Sequence, residues 1–140
     1  MNRRRVVITG IGPITAAGVG AEGLWEGLRK ERSPIRRITR FDAEIWRSRL
    51  AAEIDDFEPT RYMDAKNARR LDRFTQFSIA STRMAIDDAQ LDPAKVDSNR
   101  VAIQMGTALG GLAFAEQQLL NLVQQGARGV DPRVALTTFC

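Results

Sequence analysis

The 140-residue chain contains no histidine and a single cysteine, Cys140, its last residue. Without histidine, neither a Ser–His–Asp nor a Cys–His nucleophile can be assembled within it, and a metal site with His or several Cys ligands is excluded as well. One cysteine makes no intramolecular disulfide, which fits a reducing cytosol. Cys140 itself reads as a small buried hydrophobe or a truncation point rather than as a nucleophile. Long apolar runs are also missing. Nothing approaches the roughly 18 residues a membrane span needs, and the opening MNRRRVVITG has neither a long apolar stretch nor a small-residue cleavage site, so it is not a secretory signal. Aromatic residues make up 6% of the chain. They fall at core positions and form no exposed stacking platform, which argues against nucleic acid as a partner. Internal repeats and low-complexity segments are absent.

What is present fits a globular chain. A 44% apolar fraction is enough for a core, and a 27% charged fraction argues against disorder. No stretch reads as a linker, so residues 1–140 are expected to lie within one domain with no internal boundary. The net charge of +4 suits a nucleic-acid binder, a membrane-surface protein or the partner of an acidic protein, and composition does not separate these.

Periodicity and turn chemistry divide the chain. Residues 5–10 form a short β-branched run ending in glycine, the pattern of a buried strand. Glycines and Pro13 predict a loop over 11–20. Residues 21–32 predict a helix with Leu24, Trp25 and Leu28 on one side, stopped by Ser33-Pro34. A short strand is expected within 47–54, with Leu50 and Ile54 as its core residues, and a polar turn over 55–60. A long helix is predicted from about 64 to 89, with Leu71, Phe74, Phe77, Ser78, Ser81, Met84 and Ala85 on its inner side, ending at Leu91-Asp92-Pro93. Residues 100–106 read as a second buried strand. Gly110-Gly111 is a turn, and 112–125 a third helix with Gly126 as its C-cap. The closing VALTTFC reads as chain heading into a core. Strand, helix, helix, strand, helix is the order of an α/β fold with crossover connections.

Two glycine-rich strings invite a nucleotide or phosphate reading. Gly10-Ile11-Gly12 follows a strand, but Thr15 stands where the dinucleotide fingerprint needs its third small residue, and Pro13 intervenes. The string 106–111 lacks the lysine and Ser/Thr of a phosphate loop, and reads as a tight strand-to-helix turn or a place of close backbone approach. The pairs Asp55-Asp56 and Asp87-Asp88 are better explained by solvation and a turn, because neighbours on a helix diverge by about 100°.

The most informative feature is basic. Lys66, Arg69, Arg70 and Arg73 recur at i, i+3, i+4 and i+7, one face of a helix. Asp64 can cap that helix, which puts the cations in its first turns, where each costs a few tenths to about 1 kcal/mol against the macrodipole. The run is either a solvated surface face or a docking surface for an acidic partner.

Three segments, RRRVVITGIGPITAAG from Arg3, YMDAKNARRLDRFTQFSIAS from Tyr62 and VAIQMGTALGGL from Val101, resemble in the same order the elongating β-ketoacyl-acyl carrier protein synthases. The resemblance implies the N-terminal part of a thiolase-like α/β fold, layered with crossover helices and incomplete in this chain. It implies a cytoplasmic, homodimeric acyltransferase that makes a 3-oxoacyl thioester from an acyl thioester and malonyl-acyl carrier protein. An active-site cysteine would carry the acyl group, two histidines would assist decarboxylation, and no redox cofactor or metal is required. The family's cysteine and histidines have no position here, so the chain is expected to be an inactive N-terminal fragment, with acyl carrier protein as the intact enzyme's partner and neither nucleic acid nor membrane. By the same resemblance Lys66, Arg69 and Arg70 fall on carrier-docking positions, with Arg73 added from spacing. Thr107, Leu109 and Gly110 fall near the acyl pocket and dimer contact, Leu109 at the pocket floor. Two alternatives stay open: a non-catalytic chain-length-determining partner of a ketosynthase, and a small basic α/β binding module.

Overall fold

The computed structural model describes residues 4–139. Cys140, with the readings attached to it, and Arg3 at the head of the opening motif lie outside the described residues. Contacts gather into two compact units, each built from two stretches of chain: 1–58 with 80–93, and 59–79 with 94–140.

In the first unit a two-residue ribbon, β1 (Ile14–Thr15) against β2 (Gly18–Val19), leads into helix α1 (Gly20–Arg29). α1 buries its small residues. Gly27 is its buried position, and a Cβ there would run into the Ala17 carbonyl. Trp25 and Leu28, expected on the packed side, are exposed. Backbone approaching this closely leaves no room for large side chains, which are displaced to the flank. There Trp25 lies 5.4 Å under the Arg29 guanidinium. A second antiparallel ribbon pairs β3 (Arg36–Arg37) with β4 (Leu50–Ala51). β4 falls inside the expected strand, but on this two-stranded ribbon Leu50 is exposed. The loop 10–12 lies on the later turns of helix α3 (Arg73–Asp88). Ser81 Oγ donates to the Gly12 carbonyl at 2.6 Å, Asp88 accepts from the Ile11 amide at 2.8 Å, and Cβ atoms at Gly10 and Gly12 would meet the carbonyls of Ala85 and Ser81. These glycines serve close helix packing.

The second unit contains helix α2 (Ala65–Ala68), the start of α3, helix α4 (Leu112–Gln125) and helix α5 (Val134–Phe139). α4 has the expected bounds, and Gly126, at φ +72°, receives its C-terminus. Gln118, buried within α4, accepts from the Asp131 amide at 2.7 Å and ties the following turn to the helix. Residues 134–139 of the closing apolar run are helical, with Leu136 exposed.

Two kinds of expected element are not formed as read. Residues 5–10 and 101–106 form no ladder among the described residues, and Val6, Ile8 and Ile103 are exposed. A run apolar on both faces is the mark of a strand inside a sheet covered on both sides, and no described strand pairs with either run. The helix expected over 64–89 is broken. α2 ends at Ala68, residues 69–72 turn, and α3 begins at Arg73. Two aspartates cap two separate helices there, as described next.

Candidate functional site

The basic segment lies within the second unit. Asp64 caps α2: its Oδ1 accepts from the amides of Lys66 at 3.0 Å and Asn67 at 2.9 Å, while Oδ2 takes the Asn67 side-chain amide at 2.6 Å. Four residues later α2 stops, and Asp72 starts α3 by accepting from the Phe74 amide at 3.2 Å. Gln76 Nε2 donates to the Ala68 carbonyl at 2.7 Å and to the Leu71 carbonyl at 3.2 Å, so acceptors released by the break are not left bare. The four cations therefore do not share one helix face. Lys66 lies on α2, Arg69 is its C-cap, Arg70 lies in the turn, and all three are exposed. Arg73 opens α3, is half-buried, and stacks 4.9 Å over the Phe77 ring. The break moves Arg69 and Arg70 out of a helix interior, which lightens the dipole penalty that a continuous helix would impose.

Directly after the basic segment, α3 forms one wall of an apolar recess of about 220 Å³. Phe74, Thr75 and Ser78 face Met105, Gly106 and Thr107 across it. The Thr107 hydroxyl accepts from the Gly110 amide at 3.0 Å, which closes the turn. Gly110 has φ +51°, and a Cβ there would strike the Thr138 carbonyl. That carbonyl accepts from the Gly111 amide at 3.1 Å, and the buried Thr138 Oγ1 has no hydrogen-bond partner among the described residues. Thr107 thus stands in the recess wall and Gly110 in the turn beside it. Leu109 is 68% exposed and is not among the lining residues. Sequence reasoning missed Asp72 and Gln76, which organise the break. The available signal was a second aspartate able to act as an N-cap.

A larger, polar recess of about 400 Å³ in the first unit is bordered by the β3–β4 charge cluster. There Glu53 accepts from the Thr39 hydroxyl at 2.8 Å, the Thr39 amide at 3.1 Å and Arg36 at 3.2 Å. Asp55 pairs with Arg36 and Arg40. The Thr39 hydroxyl and amide, with help from Arg36, hold the Glu53 carboxyl down at about 2. These charges satisfy one another, and Asp55-Asp56 form no catalytic dyad. No cluster of His, Cys, Asp or Glu suited to a metal occurs among the described residues, and none of their helices is long and apolar enough to cross a membrane.

The family model of the β-ketoacyl synthase N-terminal domain matches residues 3–138. The chain belongs to the β-ketoacyl synthase family. A 3-oxoacyl-[acyl-carrier-protein] synthase 2 of Synechocystis is 36% identical over 132 residues, which covers 94% of this chain and 32% of the relative. The Staphylococcus aureus (strain COL) protein of the same name is 38% identical over 129 residues, 92% of this chain and 31% of the relative. Among solved structures, the ishigamide ketosynthase/chain length factor superposes with a TM-score of 0.81 at 37% identity, covering 95% of this chain and 33% of that one. A type II PKS ketosynthase, in complex with its acyl-carrier protein and bound to the hexaketide, gives 0.75 at 30% identity, covering 98% and 35%. The chain thus has the thiolase-like α/β fold of the ketosynthases in its N-terminal part, and spans about a third of the relatives' length.

Proposed function

We propose that this chain is the N-terminal part, within a single domain, of a chain-elongating 3-oxoacyl-acyl carrier protein synthase, and that it supplies a docking segment and part of an acyl pocket but no reactive group. In the whole enzyme an acyl group passes from the carrier thiol to a cysteine. Malonyl-carrier protein then loses CO2, and the resulting carbanion attacks the acyl thioester, giving a 3-oxoacyl carrier protein and freeing the cysteine. With no histidine, the chain alone is inactive. The whole enzyme works as a cytoplasmic homodimer, with acyl carrier protein as its partner, in fatty-acid or polyketide synthesis, without nucleic acid or membrane.

The observation that carries this reading is the placement of Lys66, Arg69 and Arg70, exposed on the segment that leads straight into the recess wall at Phe74. An acidic carrier protein held there would have its thioester arm near the recess. Exposed charges act mainly on encounter rate and are screened by salt. In the whole enzyme, Arg69→Glu with Arg70→Glu should raise KM for carrier-borne acyl substrates by roughly tenfold or more, leave KM for a small acyl thioester nearly unchanged, and lose its effect at high salt. Equal effects on both substrates would count against docking. Arg73, stacked on Phe77, should contribute less than the exposed three. Replacing Leu109 by Phe tests the pocket floor: an unchanged chain-length preference removes that assignment.

A second reading is favoured by the chain length factor in the ishigamide complex: a non-catalytic partner that sets product length. Condensation of an acyl thioester with malonyl-carrier protein by the whole protein on its own excludes it. Activity that appears only on mixing with a ketosynthase supports it.

A further inference from the structure

Asp72 accepts two hydrogen bonds, one on each carboxylate oxygen. Its Oδ1 accepts from the Phe74 amide at 3.2 Å, and its Oδ2 accepts from the Phe114 amide at 3.1 Å. Both amides lie in the first turn of a helix, Phe74 in α3 and Phe114 in α4, where no intrahelical acceptor exists. A carboxylate has two oxygens to offer and a charge that both helix dipoles favour. One side chain thus caps two helices. Those helices continue from the two walls of the recess: Phe74, Thr75 and Ser78 lie on α3, and Met105, Gly106 and Thr107 lead through the Gly110-Gly111 turn into α4.

We propose that Asp72 is a positioning residue for acyl binding: by tying the start of α3 to the start of α4, it fixes the separation of the recess walls and so the acyl chain lengths accepted. The proposal rests on the acyl-pocket reading given above. It singles out Asp72→Asn. Asparagine is as good an N-cap as aspartate, so its carbonyl keeps α3 started. Its amide group then turns a donor toward the Phe114 N–H, and the tie to α4 is lost. Asp72→Ala removes both bonds.

The test has two readouts. Amide hydrogen exchange is measured on the whole enzyme. In Asp72→Asn, Phe114 should exchange faster by on the order of tenfold, the loss of one charge-assisted bond, while Phe74 stays protected. In Asp72→Ala both should accelerate. The second readout is kcat/KM of the whole enzyme across acyl pantetheine thioesters of graded length. Asp72→Asn should flatten or shift that profile. A uniform drop at every length would mean a merely structural role, and unchanged Phe114 exchange would mean that the tie does not exist in solution; either overturns the proposal. Small thioesters bypass carrier docking, so the Arg69 and Arg70 variants can fail without affecting this result. Failure of wild-type enzyme to turn over any acyl thioester would defeat the acyl reading itself and the proposal with it, and that outcome is recognisable because no variant is involved.

Discussion

At the residue scale, two side-chain environments make opposite demands on chemistry and on space. Glu53 is held by the Thr39 hydroxyl and amide and by Arg36, and its carboxyl sits at about 2 where 4.5 is ordinary. The folded state therefore binds this proton more weakly than the unfolded chain does. The contribution to stability is complete above the ordinary value and is lost as pH falls from about 4.5 toward 2. Thr39→Val removes the hydroxyl donor, so the Glu53 midpoint should rise toward 4.5 and acid unfolding should begin at higher pH. Carboxyl-carbon NMR titration reads the first and circular dichroism the second; an unmoved midpoint would show that the hydroxyl does not matter. Space decides at Gly12, where a Cβ would collide with the Ser81 carbonyl, whereas a Cβ at Gly106 meets nothing within 4 Å. Gly12→Ala should cost about 1–3 kcal/mol by overpacking. Gly106→Ala should stay within about 0.5 kcal/mol. Urea unfolding midpoints compare the two directly.

At the element scale, helix ends govern what was legible. α1 and α3 are each followed by a non-glycine residue in the left-handed region, Glu31 and Gln90, both at φ +50°. That conformation costs an L-residue roughly 1–2 kcal/mol, and glycine gives back part of the difference through its larger unfolded-state entropy. Glu31→Gly and Gln90→Gly should each stabilise by a few tenths to about 1 kcal/mol, seen as a rise in Tm; a fall would mean that their side chains hold the turns. Helix α4 was readable from sequence because periodicity and Gly126 agreed on its end. The start of α1 was readable within a residue or so, but not its packed side, since periodicity ranks Trp25 and Leu28 above the glycines that approach Ala17. The break between α2 and α3 was hidden for a different reason. The pattern Lys66, Arg69, Arg70, Arg73 is helical in period, and periodicity says nothing about caps. Asp72 and Gln76 decide the matter through bonds to Phe74, Ala68 and Leu71. The candidate site was half legible as a result: its exposed cations and Thr107 were named from sequence, while the recess wall of Thr75 and Met105 and the organising carboxylate needed coordinates.

At the scale of the whole molecule, apolar surface exceeds what the described elements cover. Ala43, Phe57, Met63, Ala68 and Ala80 are the buried apolar residues, and no large side chain among the described residues is fully buried. In the first unit Val6 is 95% exposed, and in the second Ile103 is 69% exposed; both lie in runs with strand composition and no ladder. Unpaired β-prone backbone with apolar side chains is a template for association. The chain spans about a third of its relatives' length, so further chain in the proposed whole enzyme has room to pair with these runs and cover them. The 140-residue chain should therefore bind a hydrophobic dye and self-associate with rising concentration in sedimentation velocity. Val6→Lys with Ile8→Lys, or Ile103→Lys, should each weaken that association. Arg69→Glu with Arg70→Glu should not, because those cations lie outside the unpaired runs. In the whole enzyme the amides of residues 6–8 and 101–105 should be protected from exchange as inner strands are. A dye-silent, cooperatively melting monomer at every concentration would mean that these runs need no partner, and the proposed place of the chain within a larger condensing enzyme would lose its physical basis.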